Sequence, residues 1–133
     1  MKILRTDNPD ASLLLLPWYV EFDQTRAQIG LSLNERMKSQ PDDILVLLIT
    51  DDEAQKILGF AVSYIRYEDV FLWQAKHSGL NRREVDEVFK TICLWAKNKG
   101  FNKISAIPNR NPKIWERRWG FIKSINDEVV KEI

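Results

Sequence analysis

Few side chains in this sequence are able to move a proton or hold an anion, and they stand apart. His77 is the single histidine. An imidazole titrates near neutrality and suits proton transfer, although a lone histidine at a strand end also serves structural roles. Glu21, Glu68 and Asp69 are alternative bases, and turn or surface positions account for them equally well. Arg82 and Arg83 are adjacent; guanidinium groups grip phosphate oxygens in forked geometry, or else face water. Cys93 is the one cysteine, set in the apolar run Thr91-Ile92-Cys93-Leu94-Trp95, so a buried inert thiol is expected rather than a nucleophile. Trp115, Arg117, Arg118 and Trp119 mix aromatic and basic side chains as nucleic-acid binders do. On a short helix the tryptophans are expected to face the core and the arginines water. No Cys/His spacing suits a metal, no phosphate loop of the nucleotide-hydrolase type is present, and there is no nucleophile elbow.

The chain that must position these groups has 133 residues, 44% hydrophobic and 29% charged. That is enough for one domain over residues 1–133 with a single core, and it argues against overall disorder. One cysteine allows no intrachain disulfide and suits a reducing compartment. Leu13 to Leu16 is too short for a secretory core, and no apolar run approaches a membrane span, so a cytoplasmic protein without a membrane partner is expected. The net charge of +1 hides an asymmetry. Residues 1–75 carry 7 Lys/Arg against 12 Asp/Glu, residues 76–123 carry 12 against 4, and the last ten carry 1 against 3. The basic stretch points to an anionic ligand or partner, or to a solvated lysine-rich face.

Period and punctuation set the expected elements. Lys2 to Thr6 alternates as a first strand. A helix from Pro9 to Phe22 follows, with Pro17 breaking or kinking it, and a second helix covers Gln24 to Met37. Ile44 to Thr50 is a continuous apolar run of strand length. Lys56 to Tyr67 returns from it, and Val70 to His77 completes a three-stranded antiparallel meander. From Asn81 to Lys99 the apolar spacing becomes three and four. Asn81 and Glu84 form a capping box there, and Gly100 closes the helix. Lys103 to Ile107 is a strand and Pro112 to Trp119 a short helix halted at Gly120. Phe121 to Asn126 and Val129 to Ile133 are the last strands. A helix between strands that are to lie parallel is a crossover unit. The fold class is therefore α/β (α+β), a mixed, mostly antiparallel sheet with helices on both faces.

Three segments carry a family resemblance. Lys56-Ile57-Leu58-Gly59-Phe60-Ala61 is similar to a hairpin strand with a "vGf" pattern, and Leu94 through Ile104 is similar to a central helix running into a fifth strand. Asn109 through Trp115-Glu116-Arg117-Arg118-Trp119-Gly120-Phe121 is similar to a final motif in which an Asn precedes a short helix ending in Gly-Phe. Over residues 44–125 the chain resembles the GNAT family of acyl-CoA-dependent N-acetyltransferases. The resemblance implies that the fourth and fifth strands splay and that the acetyl-CoA pantetheine pairs with the exposed edge of the fourth, here Leu72, Trp73, Gln74 and Ala75. A backbone N–H then polarises the thioester carbonyl. His77, at the end of that strand, lies near the implied cofactor gap.

The sequence departs from that family twice. The loop that holds the CoA pyrophosphate has the pattern Gln/Arg-x-x-Gly-x-Gly/Ala in the family, whereas Ser78 to Val85 contains only Gly79. A capping box would occupy donors at the helix start, and Glu84, Asp86 and Glu87 would repel phosphate; Arg82 and Arg83 are the residues that could compensate. At the position of the family's general-acid tyrosine stands Glu116, and a carboxylate that is ionised cannot donate a proton. Asn109 keeps the family's Asn position, or is a turn residue in Pro108-Asn109-Arg110-Asn111. Three functions follow as expectations. The first is a divergent N-acetyltransferase acting on a small-molecule or protein amine, with Glu116, His77 and Asn109 as candidate catalytic residues. The second is an inactive GNAT-like binding or structural protein with a protein partner, by analogy with small phage-encoded GNAT-like proteins that include virion components. The third is a nucleic-acid or polyanion binder using the basic stretch.

Overall fold

Ile44–Thr50 (ILVLLIT) forms strand β2, and alternate residues of a strand point to opposite faces. Leu45, Leu47 and Ile49 enter one hydrophobic core, Ile44 and Val46 another. A continuous apolar run is what a strand covered on both sides requires. The computed structural model describes residues 1–109 and 111–133. Around β2 lie β1 (Lys2–Arg5), β3 (Ile57–Ile65), β4 (Val70–His77), β5 (Lys103–Ala106), β6 (Ile122–Lys123) and β7 (Val129–Glu132). They form one seven-stranded sheet in the order β1-β2-β3-β4-β5-β7-β6. Among the described residues only β4 and β5 pair in parallel; the other neighbours are antiparallel.

Helices cover both faces. Helix α1 (Ala11–Leu14) and helix α2 (Arg26–Ser39) flank the core built on Leu15, Tyr19, Ile29, Leu33 and Met37. Helix α3 (Arg82–Asn98) and helix α4 (Pro112–Trp119) lie on the opposite face, where Val88, Ile92, Trp95 and Ala96 of α3 meet Val70, Leu72, Ile104 and Ala106. This is the mixed α/β sheet expected from the sequence. Each fully buried valine, leucine or isoleucine here contributes roughly 1.5–3 kcal/mol, and each alanine less. Among the described residues no helix is long and apolar enough to cross a membrane.

The caps follow the sequence closely. Asn81 and Glu84 form a full capping box, and Gly100 and Gly120 adopt φ of +89° and +73°. These are left-handed values that favour glycine at helix ends. The first helix is a correction. In place of a helix from Pro9 to Phe22, α1 spans four residues and a 3₁₀ turn covers Leu16–Trp18. Pro17 is the second residue of that turn; a proline is tolerated at a helix start but has no N–H to continue an existing ladder. From Tyr19 the chain is irregular, and α2 begins only after Thr25, which caps it in a capping box with Gln28. The strand expected over Phe121 to Asn126 is also shorter: β6 holds two residues, and Asn126 and Asp127 turn the chain with φ of 54° and 61°.

Candidate functional site

The parallel ladder between β4 and β5 is short. It joins Val70 to Ile104, Phe71 to Ser105 and Leu72 to Ala106, and then ends. On the other edge of β4, Ser63 faces Leu72 but Val62 faces Gln74, so Trp73 is one residue too many. Such a β-bulge bends its strand and increases the local twist. The bulge thus falls where β4 leaves β5, and from Trp73 to His77 β4 has no partner on β5. Gly59 keeps the β3 edge closed. A Cβ there would stand 2.7 Å from the Lys76 carbonyl oxygen and 2.9 Å from the His77 Cβ, which explains the glycine of the hairpin motif without any role for its φ.

The bulge also changes which face the side chains meet. Without it Gln74 would share a face with Leu72, because side chains alternate. With it, Gln74 lies opposite Val62 on the α1/α2 face, as does Trp73, whose ring meets Tyr64 edge-on at 5.8 Å. Gln74 is 3% exposed. Its Oε1 accepts from the Val20 N–H at 2.8 Å and its Nε2 donates to the Val20 carbonyl at 3.1 Å.

A charged cluster lies beside the opening. Arg66 donates two hydrogen bonds to Asp69, at 2.8 and 2.7 Å, and one to Glu128 at 2.9 Å, while its guanidinium stacks 4.5 Å from the Phe71 ring centroid. Ser105 donates to Asp69 as well. Burial alone would raise the Asp69 pKa; the bonds from Arg66 and Ser105 outweigh it and hold the carboxyl below its ordinary value. Asp69 is thereby a poor base at neutral pH. Burial is likewise the main cause that pushes the Tyr64 phenol up, against the pull of Arg36, which sits 4.0 Å over its ring, and of Arg66.

At the start of α3 the capping box uses the N–H groups of Glu84 and Asn81, and those of Arg82 and Arg83 have no intrahelical partner. Gly79 has φ of +83° and open space where a Cβ would stand. Across from it, Arg118 of α4 donates to the Arg82 carbonyl at 2.9 Å and to Asp86 at 3.2 Å, and Trp119 Nε1 donates to Asp86 at 3.0 Å. The bond from Trp119, helped by Arg118, holds the Asp86 carboxyl below its ordinary value. Trp119 in turn stacks on Phe89 at 5.4 Å. Two open grooves flank this bridge. One, of about 690 Å³, runs along Arg83, Asp86, Phe89, Lys90 and Trp119; the other, of about 320 Å³, is lined by Arg82, Ile114, Arg117 and Arg118.

The expected site residues are thus distributed unevenly. Leu72, Trp73, Gln74 and Ala75 do border the opening, with Leu72 still inside the β5 ladder. Arg82 and Arg83 are exposed at the start of α3. His77 is exposed at the end of β4, Glu116 is exposed on α4, and Asn109 is exposed before it; Arg110 of its expected turn lies outside the described residues. Among the described residues no hydrogen bond or ion pair joins His77, Asn109 and Glu116. Arg118 departs from expectation by packing against α3 rather than facing water. Cys93 is half-buried, and burial raises its thiol. The Gln74–Val20 pair, the bulge and the α3–α4 bridge were not foreseen; the only hint was a glutamine inside the apolar run Val70 to Ala75.

This architecture has close parallels among solved structures. An acetyltransferase from Streptococcus agalactiae superposes with a TM-score of 0.70 at 15% identity, over 99% of this chain and 98% of that one. An acetyltransferase of the GNAT family from Streptococcus pneumoniae gives 0.62 at 14%, over 99% and 100%. The PaiA N-acetyltransferase from Thermoplasma acidophilum, solved in complex with coenzyme A, gives 0.63 at 15%, over 100% of both chains. The fold is the GNAT fold. No protein-family model matches the sequence, and no curated protein matches it either. Identities this low carry the GNAT architecture and leave the chemistry to be argued from this chain's own residues.

Proposed function

We propose that this GNAT-fold protein binds acetyl-CoA in the β4/β5 opening and transfers the acetyl group to an amine. The observation that carries the reading is the three-pair ladder that ends at Leu72 and Ala106, with the Trp73 bulge immediately after it. Unpaired β4 backbone beyond Leu72 can hydrogen-bond an extended amide-bearing arm as a strand would. A backbone N–H there, aimed at the thioester carbonyl, stabilises the charge that develops on its oxygen. The amine nitrogen bonds to the carbonyl carbon as the carbon–sulfur bond breaks, and the sulfur leaves as thiolate. The amine proton passes to solvent. Arg82, Arg83 and Arg117 supply positive charge for the phosphates, replacing part of what a glycine loop supplies through its backbone. Calorimetric titration with acetyl-CoA, followed by thiol release with a panel of small amines and lysine peptides, tests this; no binding at millimolar acetyl-CoA refutes it.

A second reading has its own observation. Asp86 is engaged by Arg118 and Trp119, so α4 is fastened to the start of α3 and part of the Arg118 charge is already paired. A protein that keeps the fold but not catalysis, and acts through a protein partner, accounts for that closure. Acetyl-CoA binding without turnover of any amine supports it. Thiol release that depends on Asn109 or Glu116 counts against it. Binding of the basic stretch to nucleic acid predicts affinity falling steeply with salt, which fluorescence anisotropy with an oligonucleotide checks.

A further inference from the structure

Val20 is not in a strand, yet both its backbone groups are paired as if it were. Gln74 accepts its N–H and donates to its carbonyl, the exchange that an antiparallel neighbour makes with its backbone. We infer that Gln74 is a positioning residue: through the Trp73 bulge its amide stands in for a missing strand and holds Tyr19–Asp23 as one wall of the site. The inference rests on the acyl-transfer reading for what the wall encloses, and on geometry alone for the clamp.

Three observations support it. The bulge is required, since regular alternation would turn Gln74 onto the α3 face, away from Val20. The clamp is buried, with Gln74 at 3% exposure, so its hydrogen bonds are not exchanged freely with water. The segment is tethered on either side of it. The Tyr19 hydroxyl donates to the Ser12 carbonyl at 2.6 Å, Arg26 donates to the Tyr19 carbonyl at 3.3 Å, and Arg26 pairs with Glu21 at 3.6 Å. Beyond Val20 the side chains of Glu21, Phe22 and Asp23 are exposed. They begin one residue from a clamp mounted just past the point where β4 leaves β5, and are the exposed side chains that such a wall would present.

Amide exchange of Val20, followed by NMR and corrected for intrinsic rates, reads the clamp directly. Gln74→Met keeps the volume and removes both bonds; Val20 exchange should accelerate by about tenfold or more. Gln74→Glu supplies the variant that a packing role would not explain. Protonated, its carboxyl can accept and donate as the amide does; ionised, it can only accept. Ionisation keeps the acceptor for the Val20 N–H but sets a charged oxygen against the Val20 carbonyl oxygen in place of the Nε2 donor. This repulsion drives the pair apart, so Val20 protection in Gln74→Glu should be near wild type at low pH and fall as the carboxyl ionises. Charged groups on the surrounding elements, Glu21, Arg26, Arg36 and Lys76, are common to all variants, so wild type over the same pH range is the control. Unchanged Val20 exchange in Gln74→Met, or no pH dependence in Gln74→Glu, overturns the clamp.

The wall is read by thiol release from acetyl-CoA without any amine. In Gln74→Met this hydrolysis, measured at saturating acetyl-CoA, should rise several-fold, as water reaches the thioester. Faster Val20 exchange with unaltered hydrolysis reduces Gln74 to a structural contact and overturns the positioning role. If wild type binds no acetyl-CoA, the acyl-transfer reading fails by itself, and the exchange experiment still decides whether Gln74 holds the segment.

Discussion

In the acyl-transfer reading proposed above, the β4/β5 opening and the start of α3 hold the two ends of one acyl-CoA molecule, and they are built by different means. The opening is made of backbone: a ladder of three pairs, one extra residue at Trp73, and a glycine at 59 that lets β3 and β4 approach. The start of α3 is made of side chains. Asn81 and Glu84 satisfy two donors, and Asp86 ties down Arg118 and Trp119. Backbone geometry survives extensive change of side chains, because any sequence with the right period and turns can supply it. A phosphate site depends on particular residues, and a few substitutions suffice to close it. The contrast shows how a chain can have the GNAT fold without a glycine-rich loop at the start of α3.

The largest expected effect lies in the opening. Gly59→Val places branched atoms against the Lys76 carbonyl and the His77 Cβ, and should cost about 3 kcal/mol or prevent folding, read from the denaturant midpoint. A neutral result would show that β3 and β4 can shift and that the opening is less tightly specified than the ladder suggests. Next is the cluster beside it. Arg66→Ala leaves Asp69 and Glu128 without their cation, and its loss should cost about 2 kcal/mol, between the limits for exposed and buried pairs.

Acid should act on the same cluster. The folded pKa of Asp69 is depressed, so its contribution is present above the unfolded value of about 3.9 and is lost as pH falls through the folded one. Asp69→Asn should remove that part of the acid-induced loss of thermal stability. An acid limb identical to wild type would show that Asp69 is held no more tightly in the native state than in the unfolded chain.

Smaller effects are expected at α3. Asp86→Ala frees Arg118 and should tighten acetyl-CoA binding several-fold if the bridge is what obstructs the phosphates; weaker or equal binding by calorimetry would mean that the helix start is not part of the path. Glu116→Gln should change thiol-release rates by less than about twofold, whereas removing a true general acid costs on the order of 100-fold or more. A large loss would restore Glu116 to the chemistry despite its exposure.

Much of the fold was legible because it is written locally. Ile44–Thr50 and Val70–His77 appear as expected, since apolar runs of strand length bounded by turn residues leave few alternatives. The same holds for Pro112–Trp119, opened by a proline and closed by Gly120. The first helix was misread in length because its leucines promise more than Pro17 permits. Little of the site was legible, for a related reason. A carboxylate such as Asp86 looks like first-turn charge until α4 arrives from 32 residues away.

Taken alone, the sequence determined the strand meander, the capped helix from Asn81, the glycine stops and the absence of a glycine-rich phosphate loop. Each of these depends on residues within a turn or two of one another. Tertiary structure alone decided the Trp73 bulge, the face on which Gln74 lies, its grip on Val20 and the fastening of α4 to α3. Those depend on register between strands and on partners 32 to 54 residues apart, where a shift of one residue exchanges the two faces of a strand.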